Sequence, residues 1–207
     1  MLDIINRELD STFLCKIYMS LQKCIEYLGN NCLTPELLDF FTNLTISQLD
    51  EYIQRTKRRT EYRNDQDHDA EDEENLQEEE ADEDALLNKI SKAIHLILKT
   101  HGTAYLPYFN NLVPIVDRFM NEINDIAAIQ WAFCVYADLI EFTGVTSWEY
   151  QGHFLEKMVS GISSSTADIR HTAACVYAQA CAVAVINDPN SLISKSLQVS
   201  QYQTDMA

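Results

Sequence analysis

Hydrophobic side chains recur along most of this chain with the spacing of an α-helix. The clearest stripe consists of Leu86, Leu87, Ile90, Ile94, Ile97 and Leu98, and a second one runs over residues 125–142. Residues three and four apart lie on the same face of a helix, so each stripe predicts an amphipathic helix that buries one side. Strand-like alternation of apolar and polar residues is not sustained over any segment. The pattern predicts an all-α protein.

Glycines mark the predicted helix ends. Gly29, Gly102 and Gly144 each follow an apolar-rich turn, where a residue of positive φ commonly ends a helix. With these ends, helices are predicted at about 8–28, 34–62, 84–101, 104–120, 125–143, 147–162 and 166–186, and another is predicted after Pro189.

Short segments repeat at a regular distance. The tetrapeptide CVYA at 134–137 recurs at 175–178, a spacing of 41 residues, and Gly102 lies 42 residues before Gly144. Helix-pair repeats of about 40–47 residues are typical of HEAT and armadillo arrays, whose pairs stack to bury a continuous core. We therefore expect an α-solenoid of antiparallel helix pairs, with three to four HEAT repeats in a single array over 1–207. Because the first helix presents Phe13 and Leu14 rather than a polar cap, we expect this array to be part of a longer solenoid.

Composition supports a helical fold and shows where the charge lies. Only 5 glycines and 4 prolines are present, too few for the many turns of a β-sandwich or barrel. The net charge is −17, but residues 65–84 hold 13 of the 32 acids and no Lys or Arg, while the rest of the chain has 19 acids against 15 basic residues. A chain without a broad basic surface is a poor candidate for direct nucleic-acid binding.

The acidic segment 65–84 interrupts the repeats. Gly29 and Gly102 are 73 residues apart, one period plus about 30 residues. Thirteen like charges repel one another, and only Ala70, Leu76 and Ala81 are apolar, so the sequence predicts an exposed, mobile loop between the two helices of one repeat. Its expected role is electrostatic attraction of basic partners, and the alternative is a solubilising loop without a partner.

A basic cluster directly precedes the acidic segment. Its members are Arg55, Lys57, Arg58, Arg59 and Arg63. We expect it to be a solvated helix end that neutralises the neighbouring acids.

One heptapeptide resembles a known repeat signature. The sequence DIRHTAA at 168–174 resembles the D-x-R-x-x-A motif that opens the second helix of a HEAT repeat. The resemblance implies that Asp168 and Arg170 belong to a ladder of ion pairs between stacked repeats. Ile129 occupies the arginine position in the preceding repeat, so the ladder is not expected to continue there.

A set of segments, taken in order, resembles one family. They are KCIEYLG at 23–29, KRR at 57–59, the acidic stretch through 78–80, YLPYF at 105–109, QWAFC at 130–134 and DLIE at 138–141. Together they resemble a region of the karyopherin-β (importin-β) superfamily, specifically its karyopherin-β-3 branch. The resemblance implies a non-enzymatic nuclear import receptor that binds basic cargo, nucleoporins and Ran-GTP and shuttles between cytoplasm and nucleus.

Candidate protein-binding residues follow from the predicted inner helix at 125–143. Trp131, Cys134, Asp138 and Glu141 share one side of it. One interpretation is a core tryptophan beside two solvated acids. The other is a cargo-facing patch, where the stem of a cargo lysine or arginine lies on the indole and its charge meets the carboxylates. Further candidates are acids of the predicted loop: Glu73, Glu74, Glu78, Glu79 and Glu80.

Other chemistry finds little support. The acids at 65, 67 and 69 begin like a calcium loop, but Ala70 and Leu76 replace its required Gly and Glu. His171 and Cys175 lie four residues apart without the further ligands that zinc needs. No cofactor, catalytic motif, secretory signal or membrane span is expected, and the six cysteines are expected to be small buried thiols of a reducing compartment.

Two alternative functions remain open for a helical array of this composition. One is a HEAT-repeat scaffold of another class, such as a phosphatase regulatory subunit. The other is an acidic chaperone for basic proteins such as histones and ribosomal proteins.

Overall fold

The computed structural model describes residues 11–29, 32–64, 69–122 and 125–187. These residues form seven α-helices and no β-strand. The helices are α1 (Ser11–Leu28), α2 (Pro35–Arg63), α3 (Ala70–His101), α4 (Leu106–Asn121), α5 (Ile126–Thr143), α6 (Gln151–Ile162) and α7 (Ala167–Asn187). Short 3-10 helices, Gly102–Tyr105 and Gly144–Tyr150, precede α4 and α6. The helix predicted after Pro189 lies outside the described residues.

The helices form two layers. In the first layer, α1, α3, α5 and α7 pack side by side in chain order, and in the second α2, α4 and α6 do the same. Gln22 and Glu26 of α1 contact Lys89 and Lys92 of α3 in ascending order, so these helices run parallel. His95 of α3 bonds to Asp138 of α5, 43 positions later. Gln130 of α5 donates to Thr172 of α7, 42 positions later. Neighbours in the layer are thus one repeat apart, as the predicted HEAT solenoid requires.

The core lies between the layers and is rich in aromatic rings. Phe109 of α4 packs edge-on against Tyr136 of α5 and against Tyr150, with ring centroids 6.5 and 5.6 Å apart. Phe154 of α6 lies 5.4 Å from the ring of Tyr136. These rings are buried, and each such side chain contributes roughly 1.5–3 kcal/mol through its removal from water. This shared core joins successive helix pairs.

The predicted glycine stops are confirmed. Gly29, Gly102 and Gly144 have φ values of 61°, 51° and 54°, which side chains with a Cβ rarely adopt. The backbone N–H of Gly144 donates to the carbonyl of Ile140 and so closes the last turn of α5. Helix starts also follow local rules: the Asp125 carboxylate accepts from the N–H of Ala127 at 2.9 Å and caps α5.

The prediction of a loop over residues 65–84 is wrong for 70–84, which form the first half of α3. Residues 65–68 lie outside the described residues. Asp69 caps the helix by accepting from the N–H groups of Glu71 and Asp72 at 2.9 and 3.0 Å. Acids near a helix N-terminus are also favoured by the helix dipole. The local sequence is therefore better suited to a helix start than its charge density indicates.

Three arginines of α2 hold this acidic half of α3 in place. Arg55, Arg59 and Arg63 are four residues apart and so share one helical face. Arg55 and Arg59 both pair with Glu83, the latter at 2.6 Å between Nη1 and Oε2. Only 5% of Arg59 and 6% of Glu83 is exposed, so this ion pair is buried. The prediction that the basic cluster neutralises neighbouring acids is confirmed for these three arginines, but the prediction of a solvated helix end is wrong for Arg59, which is buried.

The cysteines differ from their predicted burial. Cys24, Cys134 and Cys175 are exposed, and the other three cysteines are half-buried. Each exposed cysteine lies on a helix of the first layer, at 24, 134 and 175. Buried thiols are therefore the wrong description for them.

One stretch of the described residues, Ile126–Ile162, is long and apolar enough to cross a membrane by composition alone. Half of its most apolar window is buried inside the fold, as in core helices of water-soluble proteins, which pass the same test. The absence of membrane insertion stays a prediction.

Candidate interaction surface

Trp131 is a core residue. Only 5% of it is exposed, and its ring lies 4.7 Å from that of Phe119, at a tilt of 45°. Its indole Nε1 is buried and has no hydrogen-bond partner among the described residues. Of the two interpretations of the sequence, the structure therefore supports the core tryptophan, and the indole is not an open platform for a cargo side chain.

Asp138 and Glu141 occupy different environments on α5. The Asp138 carboxylate lies 2.8 Å from Nδ1 of His95 and connects α5 to α3. Burial raises the pKa of Asp138, while the contact with His95 acts in the opposite direction. Glu141 is exposed. His95 could not be predicted as the partner of Asp138 from the sequence, because the two residues come from different repeats.

The acids of α3 divide into two groups. Glu73 and Glu80 bind the guanidinium of Arg63, with nitrogen–oxygen distances of 2.7–3.1 Å. The hydrogen bonds from Arg63 lower the pKa of Glu80. The other candidates among these acids, Glu74, Glu78 and Glu79, are exposed. Only this second group is open to a partner.

A groove separates α3 and α5 on the first layer. Its volume is about 370 Å³, and its lining includes the carboxylate of Asp84 and the polar side chains of Asn88, Ser91 and Gln130. Leu87, Ala127, Trp131 and Cys134 complete the lining. Asp84 is its one charged residue. This groove could not be predicted from the sequence, because Asp84 stands at the end of the predicted loop and the groove forms only where two repeats pack.

Asp84 lies in an acidic environment. The Tyr52 hydroxyl donates to Asp125 at 2.7 Å and reaches Asp84 at 3.4 Å, so one hydroxyl connects two carboxylates. Burial, followed by the charge of Asp125, raises the pKa of Asp84. Asp84 forms no ion pair with any described residue. The groove therefore carries negative charge that its own side chains leave uncompensated.

The HEAT signature has a local role here. Arg170 donates through Nη1 to the carbonyl oxygens of Ser164 and Ser165, each at 2.8 Å, and holds the turn before α7. The ion pairs of the described residues include neither Asp168 nor Arg170, so the ladder of ion pairs between repeats stays a prediction. Nε2 of His171 lies 3.9 Å from Sγ of Cys175. No group of three or more metal-binding side chains occurs in the described part of the chain.

Comparison with known proteins places this architecture in a family. The family model for importin repeat 6 matches residues 13–122. Importin subunit beta-3 of Saccharomyces cerevisiae is 33% identical over 161 residues, which cover 76% of this chain. The chain belongs to the importin (karyopherin-β) family. It spans 14% of the length of that importin subunit.

Solved karyopherin structures share the fold of this importin-family chain. The crystal structure of the karyopherin Kap121p bound to the SUMO protease Ulp1p has a TM-score of 0.71 at 23% identity, over 93% of this chain and 17% of that one. Kap121p bound to Nup53p gives a TM-score of 0.67 at 24% identity, over 88% and 16%. At these identities the likeness shows the fold, and the HEAT-repeat solenoid predicted from the sequence is confirmed.

Proposed function

We propose that this chain is a segment of a nuclear import receptor and that its first layer faces basic cargo. Family membership is the observation that carries this proposal. Its structural support is a set of exposed acids on α3 and α5 that form no ion pair with any described basic residue; this set includes Glu74, Glu78, Glu79 and Glu141. Basic cargo segments are attracted to such a surface, and the attraction weakens as salt rises.

In this proposal, Trp131 and Asp138 support the surface from below. Trp131 fixes the packing of α5 against Phe119, and Asp138 connects α5 to α3 through His95. The acids Glu73 and Glu80 are occupied by Arg63 and shape α3 rather than bind cargo. The predicted contacts of cargo thus move to the exposed acids.

Ran-GTP and nucleoporins are the other proposed partners of the intact receptor. Loading of Ran with GTP in the nucleus would release cargo there, and exchange with nucleoporins would carry the complex through the pore. The receptor would then be found in both cytoplasm and nucleus. Release of bound protein by a second protein requires no catalytic group in this segment.

The decisive experiment is a pull-down of basic cargo with the full-length receptor that contains this segment, with and without GTP-loaded Ran. The proposal expects cargo to bind without Ran and to be released by GTP-loaded Ran, but not by GDP-loaded Ran. Cargo that stays bound in both conditions would contradict the import mechanism. Failure of the receptor to bind Ran at all would favour a HEAT scaffold of another class.

An acidic chaperone is the remaining alternative, and the fold weakens it. That function would require the acidic segment to compete for histones or ribosomal proteins by itself. Residues 70–84 are instead helical, and two of their acids are bound to Arg63. Competition by an isolated 65–84 peptide, at the concentration where the whole chain competes, would restore this alternative.

A further inference from the structure

The groove between α3 and α5 is distinct from the exposed acids of the proposed cargo surface. It has an apolar floor formed by Leu87, Ala127 and Trp131 and a polar edge that contains Asp84. Its volume of about 370 Å³ is far larger than a water molecule and is of the size of a long side chain with room for solvent. A feature of this shape accepts an elongated group with an apolar stem and a polar end.

The charge of the groove selects a cation. Asp84 is its one charged lining residue, and Asp125 lies close enough to share the Tyr52 hydroxyl with it. Neither carboxylate forms an ion pair with a described lysine or arginine. By contrast, Glu73, Glu80 and Glu83 on the same helix are each paired with an arginine of α2. The arginines of α2 therefore pair with acids on one face of α3, whereas Asp84 on the other face feels the charge of Arg59 without forming an ion pair with it.

The neutral groups of the groove discriminate between the two cationic side chains. Asn88, Ser91 and Gln130 each offer a single side-chain oxygen as an acceptor. Three separate acceptors beside one carboxylate suit an ammonium group, which has three donors on a compact centre. A guanidinium is planar and prefers bidentate contact with both oxygens of a carboxylate, whereas Oδ1 of Asp84 already lies 3.4 Å from the Tyr52 hydroxyl.

We propose that this groove binds one lysine side chain of a basic segment of a partner protein, with its ammonium at Asp84 and its stem along Leu87 and Ala127. The identity of the partner rests on the proposed function, but binding of lysine by the groove does not. The partner's main chain would cross the first layer between α3 and α5.

Cys134 provides a direct reporter of occupancy. It is exposed and lines the groove, so a bound lysine stem would shield its thiol. Cys175 is also exposed and holds the corresponding position one repeat later on α7, outside the groove lining. The rates at which iodoacetamide alkylates the two thiols can be followed in one sample by peptide mass spectrometry. Cys175 thus serves as an internal control.

The test uses the whole chain and an octapeptide, acetyl-(Lys-Gly)₄-amide, as the probe. We expect the peptide to slow alkylation of Cys134 and leave that of Cys175 unchanged. Asp84→Asn is expected to weaken the protection about tenfold or more in peptide concentration, because a charge-assisted hydrogen bond is lost. Asp82→Asn, which changes an exposed acid of α3 outside the groove lining, is the matched control and should behave like the wild type.

Two further peptides test the choice of lysine. The acetyl-lysine version of the probe has the same length without the charge and should give no protection. Equal protection by the arginine version would overturn the assignment to lysine, and equal protection of Cys134 and Cys175 would overturn the groove itself. Unchanged protection in Asp84→Asn would have the same consequence. If the full-length receptor releases cargo when GTP-loaded Ran is added but the peptide does not protect Cys134, the lysine groove is refuted and the proposed function is not.

Discussion

Removal of the Glu83 carboxylate is expected to destabilise the chain by about 3–5 kcal/mol, the usual cost of leaving one charge of a buried pair without its partner. Glu83 is 6% exposed and contacts Arg59, itself 5% exposed, at 2.6 Å. In Glu83→Ala, the nearest remaining acid to Arg59 is Glu80 at 3.5 Å. Glu80 is already bound to Arg63, so it compensates only in part.

The loss can be measured by urea unfolding of the whole chain, followed by circular dichroism at 222 nm. Thermal unfolding gives a second measurement. For a chain of this length, each kcal/mol lost from the free energy of unfolding lowers the melting temperature by about 2–4 °C, so a fall of about 6 °C or more is expected. Glu78→Ala is the matched control, because Glu78 is an exposed acid of the same helix, and its effect should stay within about 0.5 kcal/mol.

A double variant separates charge from packing. Arg59→Met with Glu83→Leu removes both charges and keeps the volume, and replacements of this kind are often neutral or stabilising. We expect it to recover most of the stability lost in Glu83→Ala. If the free energies of unfolding of Glu83→Ala and Glu78→Ala differ by less than about 1 kcal/mol, the arginines of α2 do not hold the acidic half of α3. Ion pairing with α2 would then not account for the helical state of residues 70–84.

Three further predictions concern packing, backbone and pH. Gly161→Ala places a Cβ 2.8 Å from the Cβ of Ala173 and should lower the free energy of unfolding in urea by about 1–3 kcal/mol. Gly152→Ala, with open space around the new Cβ, should be neutral or stabilising. Similar values for both variants would refute the close approach of α6 and α7. Gly144→Ala should cost about 1–2 kcal/mol through its positive φ alone, since nothing lies within 4 Å of the new Cβ, and a melting temperature equal to that of the wild type would contradict this. The raised pKa of Asp84 means that the folded chain binds its proton more readily than the unfolded chain, so this residue lowers stability as the pH rises through that pKa. Asp84→Asn should accordingly stabilise the chain at about pH 7 and lose that advantage at about pH 3, below the ordinary aspartate pKa; an equal difference at both pH values would refute the assignment.

The last of these predictions connects stability with binding. Asp84 is unfavourable in the unbound chain and is proposed to contribute to binding once a lysine is present. Residues that serve a binding site often lower stability in this way.

Helices, their ends and their repetition could be predicted from the sequence because they depend on short-range rules. Residues only a few positions apart determine the apolar stripe from Leu86 to Leu98 and the helix ends at Gly102 and Gly144. The repeat spacing of 41 residues is visible as two identical tetrapeptides. The resemblance to karyopherins could be recognised because it also rests on short segments of similar sequence in the same order. Boundaries agreed within a few residues for the helices beyond residue 100.

Tertiary structure decided the features that depend on partners far along the chain. Residues 70–84 look like a loop when their own charge is counted, but the two arginines that pair with Glu83 lie 24 and 28 positions earlier on another helix. Asp138 looks solvated on its own helix, and His95 from the preceding repeat covers it. The groove at Asp84 likewise exists only where α3 packs against α5. Local periodicity determines which residues form a helix and which side of it is apolar, whereas burial of a charge depends on whether the fold brings an opposite charge to it.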